Sequence, residues 1–205
     1  MTEAEAGSPP PRNNRYRIVL TGGPGGGKTT AADLFRREIG ERVVIVPEAA
    51  TILFSGGFLR TEVEAARRAA QKAIFHTQRN LEDSYRAVYP NRVLLCDRGT
   101  IDGAAYWPGD PADFFASLGT SLEQEMARYD AVIFFQSAAV GGRSIEGGNP
   151  VRTEAVEEAA ALDARLRALW ESHPNFRLIP NHTSFFKKLT MGLASLEGIV
   201  ARLTG

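Results

Sequence analysis

Gly22-Gly23-Pro24-Gly25-Gly26-Gly27-Lys28-Thr29 follows the apolar run RYRIVL (15–20) and opens the helical pattern TTAADLFRREI (29–39). The eight residues fit G-x-x-x-x-G-K-[ST] at every position. A strand before and a helix after are the context that makes this pattern a phosphate-binding loop. Backbone N–H groups can close around phosphate oxygens only where few Cβ atoms intervene, so Gly23, Gly25, Gly26 and Gly27 form the expected amide cradle. The helix N-terminus adds partial positive charge. Lys28 is expected to bridge the β- and γ-phosphates, Thr29 to offer its hydroxyl to Mg²⁺, and Thr30 to support the α-phosphate side.

Working outward, five short apolar runs recur: Tyr16 to Leu20, Val43 to Val46, Val93 to Cys96, Ala131 to Phe135 and Phe176 to Ile179. Continuous apolarity marks strands covered on both faces. Helical spacing separates them, in 29–39, along Val63, Ala66, Ala70, Ala73, Thr77, Leu81 and Val88, along Val156, Ala159, Leu162, Leu166 and Leu169, and along Leu189, Leu193, Leu196 and Val200. The alternation predicts an α/β fold with a mainly parallel sheet and a ligand at the carboxyl ends of its strands.

Candidate site residues fall at those ends. Asp97 closes the run VLLCD and is the expected second magnesium ligand. Arg98 reads either as a phosphate or substrate contact or as the partner of a nearby acid, and Asp102 as a weaker member of the site or a helix cap. Glu48, at the end of IVPE, lies where a base for an acceptor hydroxyl or water would stand, although Pro47 to Ala50 also suits a first helical turn. Gln71, Phe75, Gln78 and Arg79 make a polar and aromatic stripe that suits either a second substrate or a half-buried surface. The segment AAVGGRSIEGGNPVR has the glycines and cations of a lid; Arg152, before a helix starting near Thr153, is preferred over Arg143 as the cation for a transferred phosphoryl group. Asn181, after the last strand, reads as an adenine contact or an ordinary turn.

Composition narrows the classes. The chain has 205 residues, 24 Lys+Arg against 24 Asp+Glu, and a single cysteine, Cys96, inside an apolar run. That excludes a disulfide scaffold, and the balanced charge argues against a nucleic acid polymer as partner. No apolar run approaches a membrane span, so no membrane role is expected and a cytoplasmic location is the natural reading. Residues 1–14 are polar and Pro-rich and read as a disordered tail, with 15–205 as a single nucleotide-binding domain. The oligomeric state is left open, a homodimer included.

Together, RIVLTGGPGGGKTT, VVIVPEAA, VLLCDRGTIDGAAY, YDAVIFF, NPVRTE and IPNHTSFFKK resemble the stand-alone "AAA domain" ATP-binding family, related to the N-terminal nucleotide-binding domain of TRPL translocation defect protein 14. The Pro-Glu after the second strand and the Asp-Arg after the third are similar to the acid and Asp-Arg pair of deoxynucleoside kinases and ribosylnicotinamide kinase domains. The resemblance implies a three-layer P-loop NTPase fold, with a five-stranded parallel sheet in order 2-3-1-4-5 and helices on both faces. It also implies ATP and Mg²⁺. The C-terminal domain of the longer relatives is not expected here, because the final helical pattern ends the chain.

The leading functional expectation is transfer of the γ-phosphate of Mg-ATP to a small, nucleoside-like acceptor. In it Lys28, Arg98 and Arg152 stabilise charge, and Glu48 or Asp97 takes the acceptor's proton. The alternative is an ATPase or NTP-dependent switch with water as the only acceptor, and a third is a nucleotide-binding scaffold. The absence of an N-K-x-D segment disfavours a guanine-specific switch.

Overall fold

The computed structural model describes residues 16–141 and 156–204. Its strands are β1 (Arg17–Thr21), β2 (Val43–Val46), β3 (Val93–Asp97), β4 (Ala131–Phe135) and β5 (Phe176–Ile179). They form one parallel sheet in the order β2-β3-β1-β4-β5. The helices are α1 (Lys28–Ile39), α2 (Ala49–Ser55), α3 (Glu64–Val88), α4 (Gly103–Tyr106), α5 (Pro111–Ser117), α6 (Leu122–Met126), α7 (Val156–Trp170) and α8 (Phe185–Thr204).

The alternation of side chains along each strand divides the core in two. Ile18, Leu20, Leu95, Ile133 and Phe135 point to one face, where α1 and α8 cover them with Phe35, Ile39, Leu196 and Ile199. Val19, Leu94, Cys96 and Val132 point to the other, against Phe75, Ile101, Phe114 and Trp170 of the α3–α7 layer. Both sets are buried, which is why the strands read as unbroken apolar runs. Burial raises the Cys96 thiol well above its ordinary pKa, as a packed hydrophobe rather than a nucleophile requires.

The expected strands all form. The long helix differs in its buried face: Val63 and Val88 are exposed, whereas Gln71, Phe75, Gln78 and Glu82 are buried with Ala70. The reason is polar. Glu82 accepts from Tyr129 Oη at 2.8 Å and Gln78 Nε2 at 3.3 Å and pairs with Arg17 and Arg128 beneath the sheet, so a charged side chain occupies a face that apolar spacing alone would assign elsewhere. The last helix also begins earlier than its apolar spacing indicates. Short helices α2, α4, α5 and α6 have no clear period in the sequence; Asp110 caps α5 and Ser121 caps α6 in a capping box.

The order reverses between β1 and its two neighbours, β3 and β4. The carboxyl ends of these three strands therefore surround the crevice where an open α/β sheet takes its ligand.

Candidate active site

The phosphate loop joins β1 to α1, and glycine is demanded there by the protein itself. A Cβ on Gly22 would fall on the Phe135 carbonyl oxygen, at a φ of +129°. A Cβ on Gly26 would come within 2.7 Å of the same oxygen, and one on Gly23 within 2.6 Å of Asp163 Oδ1. Gly27, at φ +86°, precedes α1 without any side-chain cap, and the first turn of the helix carries no acid. The N–H groups of that turn are thus left for an anion or water. Gly25, Thr29 and Thr30 are exposed on the open side of the loop.

Lys28 is buried and donates from Nζ to Gly22 O and Gly23 O, both at 2.8 Å. Thr29 Oγ1 donates to Asp97 Oδ2 at 3.2 Å, which brings a hydroxyl and a carboxylate to the same spot at the start of α1. These donors fit a hard cation. Among the described residues no group of three or more His, Cys, Asp and Glu could hold a metal. The protein would then supply two oxygens, which suits Mg²⁺, an ion that keeps waters and takes phosphate oxygens for the remainder. Burial, and after it the Glu48 carboxylate, pushes the Asp97 carboxyl above its usual pKa, while Lys28 and Arg98 pull it back. A bound divalent cation would relieve that crowding of negative charge.

Arg98 connects the loop to the other half of the site. Its Nε donates to Glu48 Oε1 at 2.6 Å, and its Nη1 to Asp102 Oδ2 at 3.0 Å and Gly22 O at 3.3 Å. Its Nη2 is buried without a hydrogen-bond partner. Among the described residues Arg98 is the one non-glycine with positive φ, +75°, held there by its own N–H on Leu20 O at 3.0 Å. A bulky side chain in that region is strained, and such strain persists where surrounding bonds impose it. Glu48 occupies the N-cap position of α2, yet its side chain makes no capping bond; it accepts from Arg98 and from Thr51 Oγ1 at 2.5 Å. Asp102 does not cap α4 either. Its carboxylate accepts from Thr21 Oγ1 at 2.7 Å and Trp170 Nε1 at 2.6 Å as well as from Arg98, so it holds the arginine in place.

Glu48 and Arg98 also line an open cavity of about 520 Å³ bordered by α2, α3, α4 and α7. Gln71, Phe75 and Gln78 of the stripe form its wall, but Arg79 turns away to Glu125 at 3.4 Å and stacks on the outer side of Phe75. His76, beside them, is exposed. The structure therefore brings Lys28, Thr29, Asp97, Arg98 and Glu48 together. Asn181 lies at the other side of the loop, its N–H on Gln136 Oε1 at 2.9 Å and its Nδ2 on Ala138 O at 3.4 Å. Arg143 and Arg152 lie outside the described residues.

Three residues that motif reading passes over shape the site. Asp163 Oδ1 accepts from the N–H groups of both Gly23 and Ser137 at 2.8 Å, clamping the phosphate loop to the end of β4. Its signal in the sequence is faint: an acid next to the apolar stripe of α7. Phe185 covers Gly27, its ring 2.5 Å from where a Cβ would stand. Lys188 is buried and donates from Nζ to Gln136 O at 2.5 Å; burial lowers its pKa to about 8 against the pull of Asp163.

The comparisons accord with this geometry. The family model described as "AAA domain" matches residues 17–187. No curated protein matches the chain. Among solved structures, NadR protein in complex with NR superposes with a TM-score of 0.65 at 13% identity, over 91% of this chain and 50% of that one. Deoxyadenosine kinase from M. mycoides with bound dATP superposes with a TM-score of 0.59 at 14% identity, over 89% of this chain and 99% of that one. The chain thus spans about half the length of the NadR chain. Such identities speak for the fold, the parallel sheet of order 2-3-1-4-5 wrapped in helices. With the family model covering β1 through the start of α8, this chain belongs to the AAA domain family of P-loop proteins.

Proposed function

We propose that this protein transfers the γ-phosphoryl group of Mg-ATP to a hydroxyl of a small, nucleoside-like acceptor. The observation that carries the reading is a shared wall. Glu48 and Arg98 border the 520 Å³ cavity, and Arg98 Nη1 also touches the phosphate loop at Gly22 O. A cavity of this size accommodates a small molecule beside the loop, which a protein whose acceptor is water does not need. The likeness to a deoxyadenosine kinase holding dATP and to NadR holding NR adds support at the level of fold.

In this reading the loop amides from Gly23 to Thr30 bind the phosphates, and Lys28 exchanges its two carbonyl bonds for β- and γ-phosphate oxygens. Thr29 and Asp97 hold Mg²⁺, which when bound neutralises charge on those oxygens. The acceptor enters the cavity against Phe75, with Gln71 and Gln78 as hydrogen-bonding groups. Glu48 takes the proton of its hydroxyl, the oxygen bonds to the γ-phosphorus, and the bond to the β-phosphate oxygen breaks to release ADP. Arg98 keeps Glu48 aimed, and its unpartnered Nη2 is a donor for the moving phosphoryl group. Arg152 is proposed as the second cation there, and Asn181 as a neighbour of the adenine edge.

The test is ADP formation against a panel of nucleosides and small metabolites, with Asp97→Asn as blank. A rise above the acceptor-free rate for at least one compound, absent in the blank, is expected. Turnover that no acceptor alters would overturn the proposal in favour of an ATPase.

A further inference from the structure

The cavity that holds Glu48 has a second, basic wall. Arg67 of α3 donates from Nη2 to Tyr106 O at 3.2 Å, and Arg165 of α7 donates from Nε to Ala105 O at 3.2 Å. Both residues line the cavity. Bonds to successive carbonyls hold two guanidiniums from distant parts of the chain at the same end of α4. Arg60 lines the same cavity, stacked 4.8 Å over the Phe54 ring.

These charges are poorly neutralised. The acidic partner of Arg67 is Glu62, whose side chain is 94% exposed, and such pairs contribute little. Arg165 has no acidic partner among the described residues; Glu158 is the acid nearest to it along α7 that also lines the cavity. At the loop end the sign is reversed, with Glu48 and Asp102 both paired to Arg98. The cavity is therefore bipolar, with carboxylates beside the phosphate loop and guanidiniums at the end of α4. Arg165 is exposed and Arg67 half-buried, so their charges stay accessible at the cavity, and an anion there can take the remaining guanidinium donors in paired hydrogen bonds.

We infer that the acceptor is itself an anion, with a phosphate or carboxylate group seated between Arg67 and Arg165, remote from the hydroxyl that faces Glu48. This deepens the phosphotransfer reading and rests on it for the word acceptor; the binding of the anion stands separately. The competing explanation is that both arginines only satisfy carbonyls at the end of α4.

Matched pairs separate the two. Binding of nucleosides and their monophosphates, and of sugars and their uronic acids, is measured by calorimetry on the full chain and on Arg67→Gln and Arg165→Gln, with thermal unfolding as a folding control. At least one anionic member is expected to bind about tenfold or more tightly than its neutral parent, with each substitution reducing that preference several-fold and leaving the parent's affinity in place. The monophosphate and uronic acid arms tell which anion is taken. Equal affinities within every pair, or variants that weaken both members alike, would overturn the inference. The same compounds are then assayed for ATP-dependent phosphorylation. Anions that bind through Arg165 without being phosphorylated would leave the inference standing and sink the phosphotransfer reading. A neutral acceptor phosphorylated equally well by Arg165→Gln would do the opposite.

Discussion

The two halves of the site are built in opposite ways. On the phosphate side, one contiguous segment does most of the work, and the protein packs around it without slack: Phe135 O beneath Gly22 and Gly26, Asp163 on Gly23, Phe185 over Gly27. On the cavity side, α2, α3, α4 and α7 each contribute between two and six residues to the lining, and Leu59, also of the lining, remains exposed. A phosphate chain is common to many reactions and one rigid cradle serves it. A wall assembled from separate helices, by contrast, can change one residue at a time. Arg98 joins the halves from a backbone held in a strained conformation.

That contrast can be broken first at the loop. Gly22→Ala forces a Cβ onto Phe135 O at a φ disfavoured for alanine, and a loss of more than about 4 kcal/mol, measured by chemical denaturation, is expected. A variant of near wild-type stability would show that β4 yields, and that the cradle is not rigid. Next in size, Lys28→Ala should lower ATP turnover by about 10²- to 10³-fold while the fold persists, the range for removing a donor that meets developing charge. Asp163→Ala leaves the Gly23 and Ser137 N–H groups without their acceptor and should destabilise by roughly 2–4 kcal/mol, weakening nucleotide binding in parallel. Loss of stability with unchanged nucleotide affinity would mean the clamp does not shape the loop.

A pH experiment probes the same clamp more gently. The folded-state pKa of Lys188, about 8, lies below the unfolded value of 10.5. The unfolded chain therefore binds more protons across that window, and stability rises with pH from about 8 toward 10.5. Lys188→Met should lack this rise, so the difference in melting behaviour between variant and wild type should change by roughly 1–3 kcal/mol between pH 7 and pH 10. Parallel curves would place a solvated ammonium there. The smallest effect is expected across the cavity, where Gln71→Ala should raise the KM of the acceptor by about tenfold or less with little change in the KM of ATP. A matching rise in both would mean that the halves are not separable.

Much of the fold was legible because its signals are local. The strands from Tyr16 to Ile179 are each covered on both faces, so their apolar runs needed no knowledge of partners. That Glu48, Asp97 and Arg98 come together was legible because the strand ends of such a sheet converge on one edge. The buried face of α3 was not legible: Glu82 is buried by Arg17, Arg128 and Tyr129, which lie far away in sequence. The alternatives left open at Glu48 and Asp102 were also beyond the sequence, since a cap and a site residue occupy the same position and differ only in which partner reaches the carboxylate.

What the sequence determined by itself is the phosphate loop, the parallel α/β architecture and the acids at its strand ends, all consequences of spacing along the chain. Tertiary structure alone decided that Asp163 clamps the loop, that Asp102 supports Arg98, and that Arg67 and Arg165 both reach the end of α4 on the wall of a cavity. Those features are meetings of side chains from separate elements, and a meeting in space leaves no period in a sequence.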